Sequence, residues 1–175
     1  GEVVSFWFPE SGNDYSSLIS QIPEDIDAIL IAAFGSASAD FIKQMQEFGY
    51  SKDIPIFTTH SAADLSTLGN QDLAKYFDGA ITATHTPYPL ENNEYYSWFC
   101  ERHEEKLGYP ISIMTMDPYN AFVVLFETLK AVDGNTDDLA NFRKVMAELE
   151  FETPVGMHHF DENRQVVLTE YLAQV

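Results

Sequence analysis

Residues 1–49 decide the fold class, and they read GEVVSFWFPESGNDYSSLISQIPEDIDAILIAAFGSASADFIKQMQEFG. Residues 3–8 form an apolar run interrupted by one serine, which predicts a strand buried on both faces. Asn13 and Asp14 then supply side-chain oxygens that can cap a short helix over residues 15–22. The stretch therefore opens with a strand followed by a helix.

The same order repeats in the second half of this stretch. Residues 28–33 are apolar and predict another buried strand. The Phe-Gly-Ser turn at residues 34–36 leads into a helix whose apolar residues recur at helical spacing up to residue 49. Strand, helix, strand and helix in this order predict an α/β fold with a parallel sheet and right-handed crossovers. Because such sheets bind ligands at the carboxyl ends of their strands, the turns at 9–12 and 34–36 are the first candidate sites.

After residue 49, strands and helices no longer alternate strictly along the chain. Apolar runs predict strands over residues 54–58 and 79–84, and a polar turn between 155–160 and 166–175 predicts a C-terminal β-hairpin. Helical spacing predicts helices over 92–107 and 119–132, and a third helix that is capped by Thr136 or Asp137 and ends at residue 149. Between these two parts, His-Thr-Pro-Tyr-Pro at residues 85–89 denies the backbone a helix and suits a segment that crosses between two bodies.

Two of the predicted helices carry specific expectations. Asp117 and Pro118 are expected to be the N-cap and the first residue of the helix over 119–132. The side chains expected to face the core are Tyr95, Trp98, Phe99 and Leu107 in the first helix, and Phe122, Val123, Phe126 and Leu129 in the second.

Composition excludes several classes of function. The formal net charge of −19 repels phosphate backbones, so we expect no nucleic-acid partner. Cys100 is the single cysteine, which excludes an intrachain disulfide and a thiolate zinc site and favours a buried, inert thiol. No apolar run approaches the roughly 20 residues of a membrane span. The chain begins in a predicted core strand without a signal peptide, so we expect an engineered boundary, a proteolytic cut or further polypeptide upstream.

Four stretches, in this order and spacing, resemble the type I periplasmic substrate-binding proteins of ABC transporters, in the branched-chain amino-acid receptor group. They are NDYSSLI at 13–19, the strand and helix at 27–49, GYP at 108–110 followed by 117–129, and TPVG at 153–156 followed by FDEN at 160–163. The resemblance covers nearly the whole chain, but as the carboxy-terminal part of a longer protein.

The resemblance implies two doubly wound α/β lobes joined by three crossings, here incomplete. Residues 1–84 and 166–175 would belong to the second lobe, without its first strand and helix. Residues 85–165 would supply a crossing and the carboxy-terminal portion of the first lobe. The implied function is a periplasmic or extracellular solute-binding protein that holds an amino acid, organic acid or aromatic acid in the cleft between lobes. It would pass this ligand to an ABC permease, without a cofactor.

Phe34, Gly35 and Ser36 are the first candidate ligand-binding residues. Phe34 ends a strand and offers a flat apolar platform, although it could equally be a core residue under the helix. Gly35 permits close approach of the backbone, and Ser36 begins a helix whose free N–H groups attract anions. Both residues could also serve only the turn.

His60, Ser61 and Tyr88 complete the candidate site. His60 matches a position where the amino-acid receptors carry an acidic residue for the ligand's ammonium group. A histidine cannot pair with an ammonium in this way but can bind a carboxylate, so the sequence favours an organic or aromatic acid. His60 could otherwise be a surface residue, Ser61 could donate a hydroxyl, and Tyr88 could line the mouth of the cleft or only pack there.

The remaining polar clusters are predicted to be structural. His158 and His159 are adjacent on a strand and point to opposite faces, so they cannot both bind one metal ion. His85 and His103 are likewise expected to be structural. Glutamates in the helix over 92–107 lie beside basic residues and are expected to be solvated. Because no catalytic motif is visible, we predict a binding protein and not an enzyme. The alternative is the ligand-binding sensory domain of a signalling receptor on the same fold.

Overall fold

The computed structural model describes residues 1–7, 14–50, 53–86 and 93–175. These residues form two compact units, the first unit comprising 1–84 with 172–175 and the second unit comprising 85–171. The elements in chain order are α1 (Ser16–Ile19), β1 (Ile29–Ile31), α2 (Gly35–Glu47), β2 (Ile56–Thr58), α3 (Leu65–Leu68), α4 (Gln71–Ala74), β3 (Ile81–Thr84), α5 (Glu94–Leu107), α6 (Ile113–Ala131), α7 (Leu139–Glu148), β4 (Phe151–Thr153), β5 (Gly156–Phe160), β6 (Val166–Val167) and β7 (Tyr171–Gln174).

The main sheet has the strand order β1-β2-β3-β7. Strands β1 and β2 are parallel, with Ile31 beside Thr58, and β2 is parallel to β3, with Thr58 beside Thr82. On the other side of β3, the Val175 N–H donates to the Ala80 carbonyl, and the Gly79 N–H donates to the Val175 carbonyl. This parallel arrangement confirms the predicted α/β fold class and aligns the carboxyl ends of β1 and β2 at one edge.

Helix α2 covers one face of this sheet. Its apolar residues Phe41, Ile42 and Met45 are buried at the spacing that the sequence predicted. Tyr15, at the start of α1, stacks edge-on against Phe41 at a ring distance of 5.8 Å and donates its backbone N–H to the Gln44 side chain. The core of the first unit therefore lies between the sheet and these two helices.

The prediction of a buried strand at residues 3–8 is wrong for the described residues 3–7. They form no strand, and the Trp7 side chain is 96% exposed. An apolar run becomes a strand only where a neighbour supplies hydrogen bonds and a layer to pack against. Neither is present for these residues in the described part of the chain.

The prediction of a buried strand over residues 28–33 is only partly confirmed, because β1 forms at Ile29–Ile31 but one of its faces is exposed. Leu30 is 71% exposed, while Ile31 on the opposite face is buried. Leu30 lies beside Phe57 of β2, which is exposed as well. Helix α2 covers one face, and none of the described residues covers the face that carries Leu30 and Phe57.

The second unit contains α5, α6, α7 and a small antiparallel sheet in the order β4-β5-β6. The hairpin was predicted, but its second strand over 166–175 is divided. Val166 pairs with Phe160 of β5, whereas β7 joins the main sheet. Strand β4, with Phe151 beside His158, was not predicted because its three residues are too few to show a period.

Helix α6 begins at Ile113, five residues before Pro118, the predicted first residue. The Thr115 hydroxyl accepts the backbone N–H of Ser112 at 3.1 Å, which fixes the first turn at Ile113. Pro118 therefore lies inside the helix, and Asp117 is not its N-cap. Phe122, at 57%, and Phe126 are exposed, contrary to the expectation that they face the core.

Helix α5 ends at Gly108, as predicted, with a φ of +77°. Its buried side chains include Tyr96, Phe99 and His103, whereas Trp98 and Leu107 are half exposed. Phe99 is therefore buried as predicted, whereas the buried face also contains Tyr96 and His103, which the pattern had not included. No helix in the described ranges has both the length and the apolar character that a bilayer crossing requires.

Candidate functional site

The carboxyl ends of β1 and β2 bring two turns together. The Gly35 backbone N–H donates a hydrogen bond to the Ser61 carbonyl at 3.2 Å, and the Thr59 N–H donates to the Ile31 carbonyl at 3.2 Å. Five of the six predicted ligand-binding residues, Phe34, Gly35, Ser36, His60 and Ser61, lie in these turns or directly at their ends. We call residues 34–36 and 59–61 the strand-end cluster.

Phe34 is exposed in the strand-end cluster. Its side chain is 62% accessible, although it precedes the buried face of α2. This exposure argues against the interpretation of Phe34 as a core residue. An exposed aromatic ring at a strand end offers a flat apolar surface to a small molecule.

Gly35 adopts a φ of +50°, which lies in the left-handed region. A Cβ atom at this position would lie 3.7 Å from the Thr67 hydroxyl oxygen, an ordinary contact. Backbone conformation and not lack of space therefore explains the glycine here. The exposed Ser36 follows it in the first turn of α2.

The hydroxyl of Ser61 helps to hold the second turn. Its Oγ lies 3.0 Å from the Thr59 Oγ1 and donates to the Ala33 carbonyl at 3.4 Å. His60, between these two residues, is half-buried. Ser61 therefore has a structural role in this arrangement, linking the ends of β1 and β2.

Sequence reasoning missed two buried hydroxyl groups next to the strand-end cluster. Thr58 is the last residue of β2 and Ser38 lies in the first turn of α2. The Oγ1 of Thr58 and the Oγ of Ser38 are buried and bond to no other described residue. Only the fold could reveal them, because serine and threonine are common at such positions in any α/β unit.

Tyr88 and the turn at 9–12 lie outside the described residues. The role predicted for Tyr88 therefore stays a prediction.

The histidines of the second unit occupy defined polar positions. His158 is buried and His159 is exposed, in keeping with their opposite faces on β5. His103 lies with its Nδ1 at 3.0 Å from the Tyr109 carbonyl. His85 lies between Asp117 and Glu170. Within the described ranges, no group of three or more His, Cys, Asp or Glu residues is arranged to hold a metal ion.

A groove of about 980 Å³ lies in the second unit and was not predicted. The hydroxyls of Tyr95 and Tyr119 meet at 2.9 Å in its lining. Burial, the hydrogen bond to Tyr119 and the neighbouring charges together raise the pKa of Tyr95. Cys100, on the same helix as Tyr95, is half-buried, and burial raises the pKa of its thiol, which suits the predicted inert role.

A family model described as periplasmic binding protein matches residues 1–175. No curated protein sequence matches the chain. Solved structures resemble it over nearly its whole length. A solute-binding protein of an ABC transporter from Rhodopseudomonas palustris BisB5, in complex with 3,4-dihydroxybenzoic acid, has a TM-score of 0.78 at 21% identity and covers 95% of this chain and 46% of its own.

Two further structures give the same picture. A solute-binding protein from R. palustris in complex with benzoate has a TM-score of 0.73 at 21% identity, covering 93% of this chain and 44% of its own. A leucine-binding protein from Thermotoga maritima has a TM-score of 0.77 at 20% identity, and the match covers 94% of this chain and 46% of that protein. At these identities the likeness concerns the fold alone. The chain spans less than half the length of each of these structures.

Proposed function

Because the chain belongs to the periplasmic binding protein family, we propose that it is part of an extracytoplasmic receptor that supplies a small organic ligand to the permease of an ABC-type uptake system. The family match over residues 1–175 and the shared fold of three solute-binding proteins support this proposal. The family is one of solute-binding proteins and not of enzymes, in agreement with the predicted binding role.

We place the ligand at the strand-end cluster. The observation that carries this placement is the exposed Phe34 ring beside a turn that is hydrogen-bonded to the Ser61 carbonyl. Parallel α/β sheets bind ligands at the carboxyl ends of their strands, where backbone N–H groups and short side chains converge. The cluster supplies an aromatic surface, an imidazole and the first turn of α2 within one edge of the sheet.

The ligand class that fits this cluster best is an aromatic carboxylic acid. A stacked ring suits Phe34, and an imidazole such as that of His60 can donate a hydrogen bond to a carboxylate. The cluster offers no carboxylate of its own at residues 34–36 or 59–61 to bind an ammonium group. Structures of similar fold were solved with benzoate and with 3,4-dihydroxybenzoic acid, while another is a leucine-binding protein.

We assign the two units to two lobes of the receptor. Residues 1–84 with the end of the chain would belong to the second lobe, and 85–165 to a crossing and part of the first lobe. The division of the chain at Thr84 and at Tyr171 supports this assignment.

Thermal unfolding of the protein with a panel of compounds tests the proposed ligand class. The panel contains benzoate, 4-hydroxybenzoate and 3,4-dihydroxybenzoate, with leucine and isoleucine as amino-acid representatives. A ligand at about a hundredfold excess over its Kd stabilises the protein by roughly 2.7 kcal/mol, so an aromatic acid should raise Tm measurably. A rise with leucine or isoleucine alone would contradict the aromatic-acid assignment, and no rise with any compound would contradict the proposal that the chain binds a ligand of these classes.

A further inference from the structure

A polar joint in the second unit connects three separate stretches of chain. His85 directly follows β3, Glu170 directly precedes β7, and Asp117 lies in α6. The His85 Nε2 lies 2.7 Å from the Asp117 Oδ1, and its Nδ1 lies 3.5 Å from the Glu170 Oε1. We call these three residues the His85 joint.

The two ring nitrogens of His85 face two carboxylates, and this geometry suits only one protonation state. A neutral imidazole carries a single N–H, so it would present a lone pair to one of the two carboxylates. The charged imidazolium carries an N–H on each nitrogen and can donate to both. The imidazole is buried while both carboxylates are about half exposed.

The other charged groups around His85 agree with this protonation state. The hydrogen bond to Asp117 raises the pKa of His85, burial opposes the rise, and the charges of Asp117 and Glu170 add to it. The charge of His85 in turn acts on His158 of β5. Burial and the His85 charge lower the pKa of His158, which favours its neutral form beside the imidazolium.

The His85 joint links the two segments by which the chain leaves and re-enters the main sheet. Strands β3 and β7 are neighbours in the main sheet, and the chain passes from β3 into the second unit and from there back into β7. His85 and Glu170 are the residues at the beginning of the outward passage and near the end of the return passage. A bond between their side chains therefore ties the two passages to each other, while Asp117 ties them to α6.

We propose that the His85 joint is a pH-sensitive clamp, closed while His85 is charged and loosened when His85 loses its proton. Deprotonation replaces one of the two N–H donors by a lone pair, so one carboxylate is released. The segment that leads into β7 is then held less firmly. This inference does not depend on the identity of the ligand or on the proposed function.

Nuclear magnetic resonance of the histidine side chains tests the first half of this proposal. The chain has five histidines, so long-range ¹H–¹⁵N spectra can follow each ring through a pH titration. We expect His85 to lose its proton at a pH above the ordinary imidazole value of about 6.5. Glu170→Gln and Asp117→Asn should each lower the titration midpoint of His85. Glu162→Gln, in the turn between β5 and β6, removes an exposed carboxylate elsewhere and should leave it unchanged.

Amide hydrogen exchange tests the second half. Between pH 6 and pH 9, after correction for intrinsic rates, protection of the β7 amides should fall by roughly tenfold, as expected for the loss of one charged hydrogen bond. Protection of the α2 amides serves as the internal reference and should stay constant. Glu170→Gln should abolish the pH-dependent fall in protection of the β7 amides while the chain remains folded. A titration midpoint of His85 at or below about 6.5, or equal changes of protection in β7 and α2, would overturn the proposal.

Discussion

The two units bury different kinds of side chains. The buried cluster of the first unit is apolar, with Tyr15, Ile19, Phe41, Ile42 and Phe77 among its members. In the second unit, three of the four histidines, His85, His103 and His158, are buried alongside the apolar residues. Because of this difference, a change of pH near neutrality should alter the stability of the second unit and leave that of the first nearly unchanged.

Within the second unit, two histidines respond to pH in opposite senses. His85 has a raised pKa, so its contribution to stability is complete below about pH 6.5 and is lost as the pH rises through the raised value. His158 has a lowered pKa because of burial, so its contribution is present above about pH 6.5 and is lost as the pH falls through the lowered value. The second unit should therefore be most stable at a pH between the lowered pKa of His158 and the raised pKa of His85.

The largest expected effect removes an apolar side chain from the first unit. Phe41→Ala deletes a buried ring that packs against Tyr15 and should lower the free energy of unfolding by about 3–4 kcal/mol. Urea unfolding followed by circular dichroism at pH 6 and pH 8 measures this loss, which should be the same at both pH values. Phe48→Ala, in a residue that is 52% exposed at the end of α2, is the matched control and should cost less than about 1 kcal/mol. A strongly pH-dependent loss for Phe41→Ala would contradict the contrast between the units.

The second effect concerns the His85 joint. Asp117→Asn removes the closest acceptor of the charged imidazole and should destabilise the second unit by about 1 kcal/mol at pH 6, a value reduced by the exposure of the carboxylate. The loss should shrink as the pH rises through the raised pKa of His85. Hydrogen exchange of the α6 and β5 amides follows the second unit separately. A loss of the same size below and above that pKa would mean that Asp117 acts through packing and not through charge.

A smaller effect is expected at the turn between β1 and α2. Gly35→Ala places a Cβ atom on a backbone with φ of +50° and should cost about 1 kcal/mol, since the added atom meets no steric conflict. Gly69→Ala is a useful comparison, because a Cβ there would lie only 3.0 Å from the Leu65 carbonyl oxygen. Urea unfolding of both variants separates backbone strain from crowding. A neutral Gly35→Ala would show that the turn relaxes to a negative φ.

The smallest effect on stability is expected at Phe34. Phe34→Ala removes an exposed ring and should change the free energy of unfolding by less than about 0.5 kcal/mol. It should nevertheless weaken the binding of an aromatic acid by about tenfold, equivalent to about 1.4 kcal/mol. Isothermal titration calorimetry with benzoate measures this change, with Phe48→Ala as the control. Unchanged affinity would remove Phe34 from the site.

The sequence predicted the presence of helices and strands more reliably than it predicted which of their faces are buried. The parallel order of β1, β2 and β3 and the buried residues of α2 followed from apolar period and turn residues. Leu30 and Trp7 are as apolar as the true core residues, yet they are exposed. Periodicity shows that a side chain could be buried, but burial depends on a neighbouring layer that a local pattern does not contain.

The same limit applies to the candidate site and to α6. Phe34 and Gly35 could be predicted because a turn after an apolar strand is a local feature. The buried hydroxyls of Thr58 and Ser38 could not, since their burial results from packing between α2 and the sheet. Pro118 was expected at a helix start because proline favours that position. The bond from the Ser112 N–H to Thr115 instead begins α6 earlier, and the proline is accommodated inside the helix.

The most direct test of the central claim is a titration of the ¹⁵N-labelled protein with benzoate, followed by the amide chemical shifts. The account predicts saturable shifts at Gly35, Ser36, His60 and Ser61, with the largest changes in the strand-end cluster. Shifts confined to the groove at Tyr95 and Tyr119, or saturable shifts with leucine but none with benzoate, would contradict it.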